Sequence, residues 1–284
     1  MERKKNLLIE IRKNIFVKIG IIIFTCFLII AIFAPLFAPN NPNEQNLSCR
    51  LRGGFWEGNY KYFLGTDSLG RCVLSRLIYG TRVSLLVGVL AVIIMFILGT
   101  TLGMFSGYLG GKVDSIIMRF TDILMSFPNI LLAIAIMAAL GPGIGNAMIA
   151  LGVTGTPEIA RLVRGSVLYI KEEEYVEAAK SLGAPLSRIL LKHILPNLFS
   201  TIMVIIFLRL GSSILYIASL GFLGLGVQPP TPEWGAMISE GKDYFILGKW
   251  WLAVFPGLCI TITTLGFVFL GQGLRDILDP RLRK

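Results

Sequence analysis

Charge is scarce in this sequence. Asp, Glu, Lys and Arg make up 15% of its 284 residues, against about 25% in soluble domains, while 54% of residues are hydrophobic. A soluble fold of this length must cover its surface with polar side chains, and the chain carries too few of them. Histidine is nearly absent. His193 stands alone, too little imidazole for a protein-only transition-metal site, so no metal site is expected. Four cysteines in so long a chain exclude a disulfide-stapled mini-protein. The high apolar content excludes intrinsic disorder. What remains is an all-α polytopic membrane protein.

The uncharged runs are long. Residues 19–43, 83–111, 123–157, 210–232 and 250–274 carry no formal charge, nor do 194–208 ahead of Arg209. A spanning helix needs about 20 apolar residues. The run 123–157 is too long for one span and is interrupted by Gly141-Pro142-Gly143, a strong helix break. Six transmembrane helices are therefore expected, over 17–38, 83–107, 122–140, 144–160, 199–226 and 250–271. The fourth is short and contains Pro157, which favours a kink or tilt. The first is expected to be retained. Its apolar run is too long for a signal-peptide core, and Pro35 and Pro39 sit where cleavage would fall.

The net charge of +10 is a matter of topology. With the N-terminus inside, the segments 1–18, 108–121, 161–197 and 272–284 hold 18 Lys and Arg, and the outer segments 39–82, 141–143 and 227–249 hold 8. This bias places both termini in the cytoplasm. It also accounts for the basicity without nucleic acid as a partner. Trp234, Trp250 and Trp251 fit interfacial anchors. Gly221, Gly224 and Gly226 suit either close helix approach or an early end to the fifth helix.

The cytoplasmic loop 161–197 is the most informative. Lys171 to Gly183 reads as a short polar helix, with Ala178 and Ala179 as a bare surface, Gly183 at its C-terminus and Pro185 preventing continuation. A second amphipathic piece follows from Leu186 to Leu195, with Leu186, Ile189, Leu190, His193 and Ile194 at helical spacing. This is either a solvated hairpin or a docking element for a soluble partner. Arg209 lies inside the fifth span, at a depth where ionisable groups are costly. It either lines a pathway, snorkels, or forms a structural ion pair.

Glu177-Ala178-Ala179, Gly183 and Leu195-Pro196 together resemble the "EAA" loop of bacterial binding-protein-dependent ABC importer permeases. Leu64-Gly65-Thr66-Asp67 with Gly70-Arg71, the stretch Ser75 to Leu85, Phe222 to Gly226, Pro232-Glu233-Trp234-Gly235 and Gly273 to Arg281 are similar to signatures of the "C" permease subunit in the dipeptide, oligopeptide and nickel branch. Two departures stand out: His193 replaces an Ile of the general pattern, and Cys72 replaces an Asp.

The resemblance implies a type I ABC importer permease fold. The divisions would be 1–79 (tail, first helix and outer segment), 80–275 (permease core, with coupling loop 161–197) and 276–284 (cytoplasmic tail). It implies half of a translocation pathway for di- or oligopeptides, or for nickel or a metal chelate, in a bacterial inner membrane. A stand-alone secondary transporter is the remote alternative. The implied partners are a second, homologous permease in a heterodimer, two ATPase subunits and an extracytoplasmic solute-binding protein. Glu177, Ala178, Ala179, Gly183, His193, Leu195 and Pro196 would form the ATPase-coupling element. The chain has no Gly-x-x-x-x-Gly-Lys-[Ser/Thr] loop, so ATP and Mg would reside on the ATPase partners and no catalytic residue is expected here. Cys49 and Cys72, both in the outer segment, are either a disulfide or two free thiols.

Overall fold

The structure is a computed structural model and describes residues 14–278. The basic flank Arg3, Lys4, Lys5, Arg12 and Lys13 and most of the tail 276–284, with Asp279-Pro280-Arg281, lie outside the described residues. The chain is helical, and the described residues contain no strand, only an isolated bridge between Thr66 and Cys72. The helices are α1 (Ile15–Ile32), α2 (Ala34–Phe37), α3 (Val73–Leu109), α4 (Gly111–Met125), α5 (Asn129–Leu140), α6 (Ile144–Ile170), α7 (Glu174–Ser181), α8 (Leu186–Arg188), α9 (Leu195–Phe222), α10 (Trp234–Phe245) and α11 (Trp251–Leu278). A π-helical segment, Ile189–Ile194, joins α8 to α9.

Local chemistry sets the boundaries. The Asn14 carboxamide oxygen accepts from the amides of Phe16 and Val17 and starts α1. Gly141 (φ +85°) and Gly143 (φ +148°) separate α5 from α6 where the glycine-proline-glycine break was expected. Phe222 ends α9, and Gly224 (φ +75°) turns the chain away.

Several expectations change. α3 begins at Val73, so the helix runs through the division expected at 79/80. The supposed connector 108–121 is the helix α4, reached through Gly110 (φ +65°) and Gly111 (φ +54°). The expected span 122–140 is therefore two helices bent by 92° at Ser126-Phe127-Pro128. Pro128 cannot donate to a continuing helix, and it disfavours helical backbone at Phe127.

Among the described residues, four helices are long and apolar enough to cross a membrane: Ile15–Ile32, Val73–Leu109, Ile202–Phe222 and Trp251–Ile277. The bent pair α4–α5 makes a fifth if it is one span. The fourth expected span, α6, does form a helix but carries Glu158, Arg161 and Arg164. It is longer than expected and keeps Pro157 inside it.

α6 packs on α3 over the most extensive helix contact in the molecule. Glycines at four-residue spacing make that contact possible. A Cβ on Gly99 would lie 2.6 Å from Ile159 Cβ, one on Gly103 2.5 Å from the Ala160 carbonyl, and one on Gly107 2.8 Å from Val167 Cβ. Gly152 and Gly155 of α6 meet Ile94 and Met95 in return. Backbones can approach this closely only without side chains between them. On the other flank α11 packs against both α9 and α1. A Cβ on Gly20 would lie 2.8 Å from the Gly266 carbonyl.

Gly103→Leu is expected to cost about 3 kcal/mol of stability through overpacking, seen as a lower thermal midpoint of the detergent-solubilised protein. Gly165→Ala, where an added Cβ meets nothing within 4 Å, is expected to be neutral or stabilising by up to about 1 kcal/mol.

Candidate functional site

The cytoplasmic hairpin is built around α7. Its last turn closes in a Schellman arrangement: Ala184 N–H donates to the Ala179 carbonyl (3.1 Å) and Gly183 N–H to the Lys180 carbonyl (3.0 Å). Gly183 has φ +74°. Its requirement is conformational, because an added Cβ would meet nothing nearby. Val176 is the buried residue of α7, in a cluster with Met104, Val163, Val167, Ile170, Ile189 and Ile194. The hairpin is thereby welded to the inner ends of α3, α6 and α9. Glu177 and Ala178 face outward, Ala179 is half-buried and Leu182 is 87% exposed.

His193 lies on the π-helical segment, its ring centroid 6.5 Å from that of Tyr175 and its carbonyl accepting from Asn197 Nδ2 at 2.6 Å. It packs and positions. Loss of hydration, followed by the charge of Glu173, raises the Tyr175 phenol above its ordinary range. Leu195 and Pro196 open α9 directly, with Pro196 in the first turn, where no amide partner is needed. The structure thus gathers Glu177, Ala178, Ala179, Gly183, His193, Leu195 and Pro196 at one end of the bundle. A cleft of about 420 Å³ lies between α7 and the end of α3, lined by Tyr108, Lys171, Val176 and Glu177.

Asp114 of α4 takes Arg164 of α6 in a two-pronged pair, Nε to Oδ1 at 2.5 Å and Nη2 to Oδ2 at 2.6 Å. Ser106 of α3 bonds the same carboxylate. These residues brace three helices immediately above the hairpin. Arg161 and Asp122 add an exposed pair at 2.5 Å.

Arg209 falls at the middle of α9, deeper than the fifth span's expected start implied. It pairs with Glu158, at the middle of α6. Within the apolar stretch Ile202–Phe222, Arg209 lies roughly 10 Å from one end and roughly 20 Å from the other at 1.5 Å per residue.

The outer segment is held by a second ionic network. Asp67 Oδ1 accepts from the amides of Leu69 and Arg71, both at 2.9 Å, and Gly65 (φ +82°) and Gly70 (φ +74°) allow the turn. Arg71 Nε then meets Asp67 Oδ2 at 2.6 Å and its Nη2 meets Glu240 at 2.5 Å. Arg76 reaches the same two carboxylates at 3.5 and 3.3 Å. Both arginines are buried.

Glu233 caps α10, accepting from Gly235 and Ala236 amides and from Ser84 Oγ. Burial raises its carboxyl above the ordinary range, against the opposing pull of those three donors. Trp234 fills the core and donates from Nε1 to the Leu77 carbonyl at 3.2 Å; Gly235 sits against the α9 backbone at Ala218.

One expectation is revised here. Trp234 and Trp251 are buried, Trp251 donating to the Thr66 carbonyl at 3.3 Å, so they are core residues and not interfacial anchors. Trp250 alone is partly exposed. Cys49 and Cys72 are both free thiols. Cys72 is buried at the start of α3, whereas Cys49 Sγ lies beside Ser48 Oγ at 3.8 Å on the exposed side. Sequence reasoning passed over Glu158, Asp114, Arg164 and Glu240, whose meaning lies in partners far along the chain. It also passed over Gly99, Gly103 and Gly107, whose spacing was visible.

This arrangement is a bundle of helices of membrane-spanning length with a polar helical hairpin rooted in one end. Residues 99–284 match the model of the binding-protein-dependent transport system inner membrane component. Residues 6–52 match that of the N-terminal transmembrane domain of oligopeptide transport permease C. The chain belongs to this family of membrane permease subunits.

Among its relatives, the dipeptide transport system permease protein DppC of Alkalihalophilus pseudofirmus is 46% identical over 96% of this chain and 88% of its own. The glutathione transport system permease protein GsiD of Pectobacterium atrosepticum is 49% identical over 78% and 73%. A solved inward-facing structure of the MetNI methionine ABC transporter shares the fold. Its TM-score is 0.57 at 21% identity, over 71% of this chain and 96% of that one.

Glu240→Gln removes the carboxylate that Arg71 and Arg76 share. The expected loss is about 3 kcal/mol, because two buried guanidiniums are left with Asp67 alone. Thermal unfolding and protease sensitivity of the 44–72 segment check it. A change below about 0.5 kcal/mol would mean that water already screens the network.

Proposed function

We propose that this chain forms half of the translocation pathway of an ATP-driven importer of di- or oligopeptides in a bacterial inner membrane. A second, homologous permease supplies the other half, and a solute-binding protein delivers substrate from outside. Two ATPase subunits bind ATP and Mg and supply the hydrolysis. Both termini are cytoplasmic, as the excess of Lys and Arg on that side favours. The printed names of the relatives, dipeptide and glutathione permeases, favour peptides over nickel.

The observation that carries the mechanism is the anchoring of α7. Val176 roots it in a core shared with α3, α6 and α9, while Glu177 and Ala178 face the cytoplasm. In this reading α7 seats in a groove of the ATPase, with Ala178 and Ala179 permitting close approach and Glu177 meeting a basic group. Closure of the ATPase pair pushes α7 as a rigid body, and the shared core passes the displacement to the membrane helices. The exterior opens and closes reciprocally with the cytoplasmic side.

Two variants test the coupling. Ala179→Asp places a charge at the half-buried contact, and Gly183→Leu strains the left-handed turn by about 1–2 kcal/mol. Both are expected to reach the membrane in amounts near wild type yet to lose at least about tenfold in peptide uptake per ATP hydrolysed. Wild-type transport-linked ATPase activity in both would overturn the assignment of α7.

A further inference from the structure

Glu158 and Arg209 pair at the middle of α6 and α9. Arg209 divides the uncharged runs 194–208 and 210–232, and Glu158 follows the uncharged run 123–157, one turn before Arg161. The pair is not sealed: the Arg209 side chain is 19% exposed and that of Glu158 is 38% exposed. Among the described residues neither side chain hydrogen-bonds a third one.

A guanidinium offers five donors and a carboxylate about four acceptor sites, so most of their polar capacity remains open. Facing hydrocarbon with that capacity unmet is costly, and ionisable groups at this depth turn to an interior or to an aqueous cavity. Beside Arg209 lies an apolar crevice walled by Val92, Met95, Phe96, Ile159 and Ile205. Such walls lower the local dielectric and strengthen any charge pairing there.

We propose that Glu158 and Arg209 are an exchangeable ion pair on the translocation pathway, selecting the zwitterionic backbone of a peptide with free termini. The inference rests on the peptide-import reading above and names the group that recognises the substrate. The peptide α-carboxylate replaces Glu158 on Arg209, while its α-ammonium replaces Arg209 on Glu158. Two ion pairs stand where one protein pair and one hydrated zwitterion stood before. No charge is left alone in the low-dielectric interior, the outcome that makes a broken buried pair so costly. A bare divalent cation gains no such exchange, because Arg209 repels it.

The test uses the full complex in proteoliposomes, with its ATPase subunits and binding protein and with labelled dialanine as the probe. In Glu158→Gln/Arg209→Gln, dialanine imported per ATP hydrolysed is expected to fall at least about tenfold. A ratio equal to wild type would show the pair to be structural only. Because that double variant can fail to assemble, a second measurement stands beside it. In a background lacking the native cysteines, Glu158→Cys is expected to react with a water-soluble thiol reagent and to be protected by dialanine during turnover. A thiol that never reacts, or that dialanine does not shield, overturns the proposal. Failure of the wild-type complex to import dialanine overturns the peptide reading itself, a result distinct from loss of the pair's role.

Discussion

The backbones of α3 and α6 lie against each other because Gly99, Gly103 and Gly107 present no side chain to Ile159, Ala160, Val163 and Val167. In a bilayer the lipid is as apolar as leucine, so helix association has to come from close van der Waals packing and not from expulsion of water. The glycine row supplies that packing. It also sets the registers on which other features rely. It brings Arg164 to Asp114, fixes where the Glu158 carboxylate lies, and holds the end of α6 in the cluster that receives Val176 of α7. A displacement of the hairpin can reach the bundle only because this contact does not yield.

α3 carries the same argument across the membrane. At 37 residues it spans roughly 55 Å, from the outer ionic network to the inner brace. Arg76 in its first turn shares Asp67 and Glu240 with Arg71. Ser106 near its other end shares Asp114 with Arg164. Isolated surface ion pairs contribute little, but these are buried or shared, and each joins elements far apart in sequence. The outer signature residues prove to be structural as well. Glu233 caps α10, Trp234 is packed and hydrogen-bonded, and Gly235 touches the α9 backbone. This end of the bundle is thus a stiff one.

Features that depend on neighbours along the chain were legible in the sequence. The apolar runs, the break at Gly141-Pro142-Gly143, the left-handed Gly183 and the helical hairpin around it all follow from local rules, and all are present. Features that depend on distant partners were not. Lys112, Asp114, Arg119 and Asp122 read as a polar connector because Asp114 and Asp122 find their ionic partners far along the chain, at Arg164 and Arg161 of α6. The indoles of Trp234 and Trp251 suited an interface until the Leu77 and Thr66 carbonyls became available to them. Four-residue glycine spacing was the exception, a distant contact announced locally.

The helices form two tightly packed sets. α3 and α6 make one. In the other, Gly271 of α11 meets Leu208 of α9, and Gly20 of α1 meets Gly266 of α11. Glu158 belongs to the first set and Arg209 to the second, so their pair bridges the two within the membrane. Cores shared by α3, α6 and α9 join the two sets, and the Glu158–Arg209 pair adds an ionic link between them. A scarce resource of this sequence, ionic charge, is therefore placed where motion has to be either prevented or timed. Shared carboxylates prevent it at the two ends of α3, and a single unsealed pair at mid-depth is left free to trade partners.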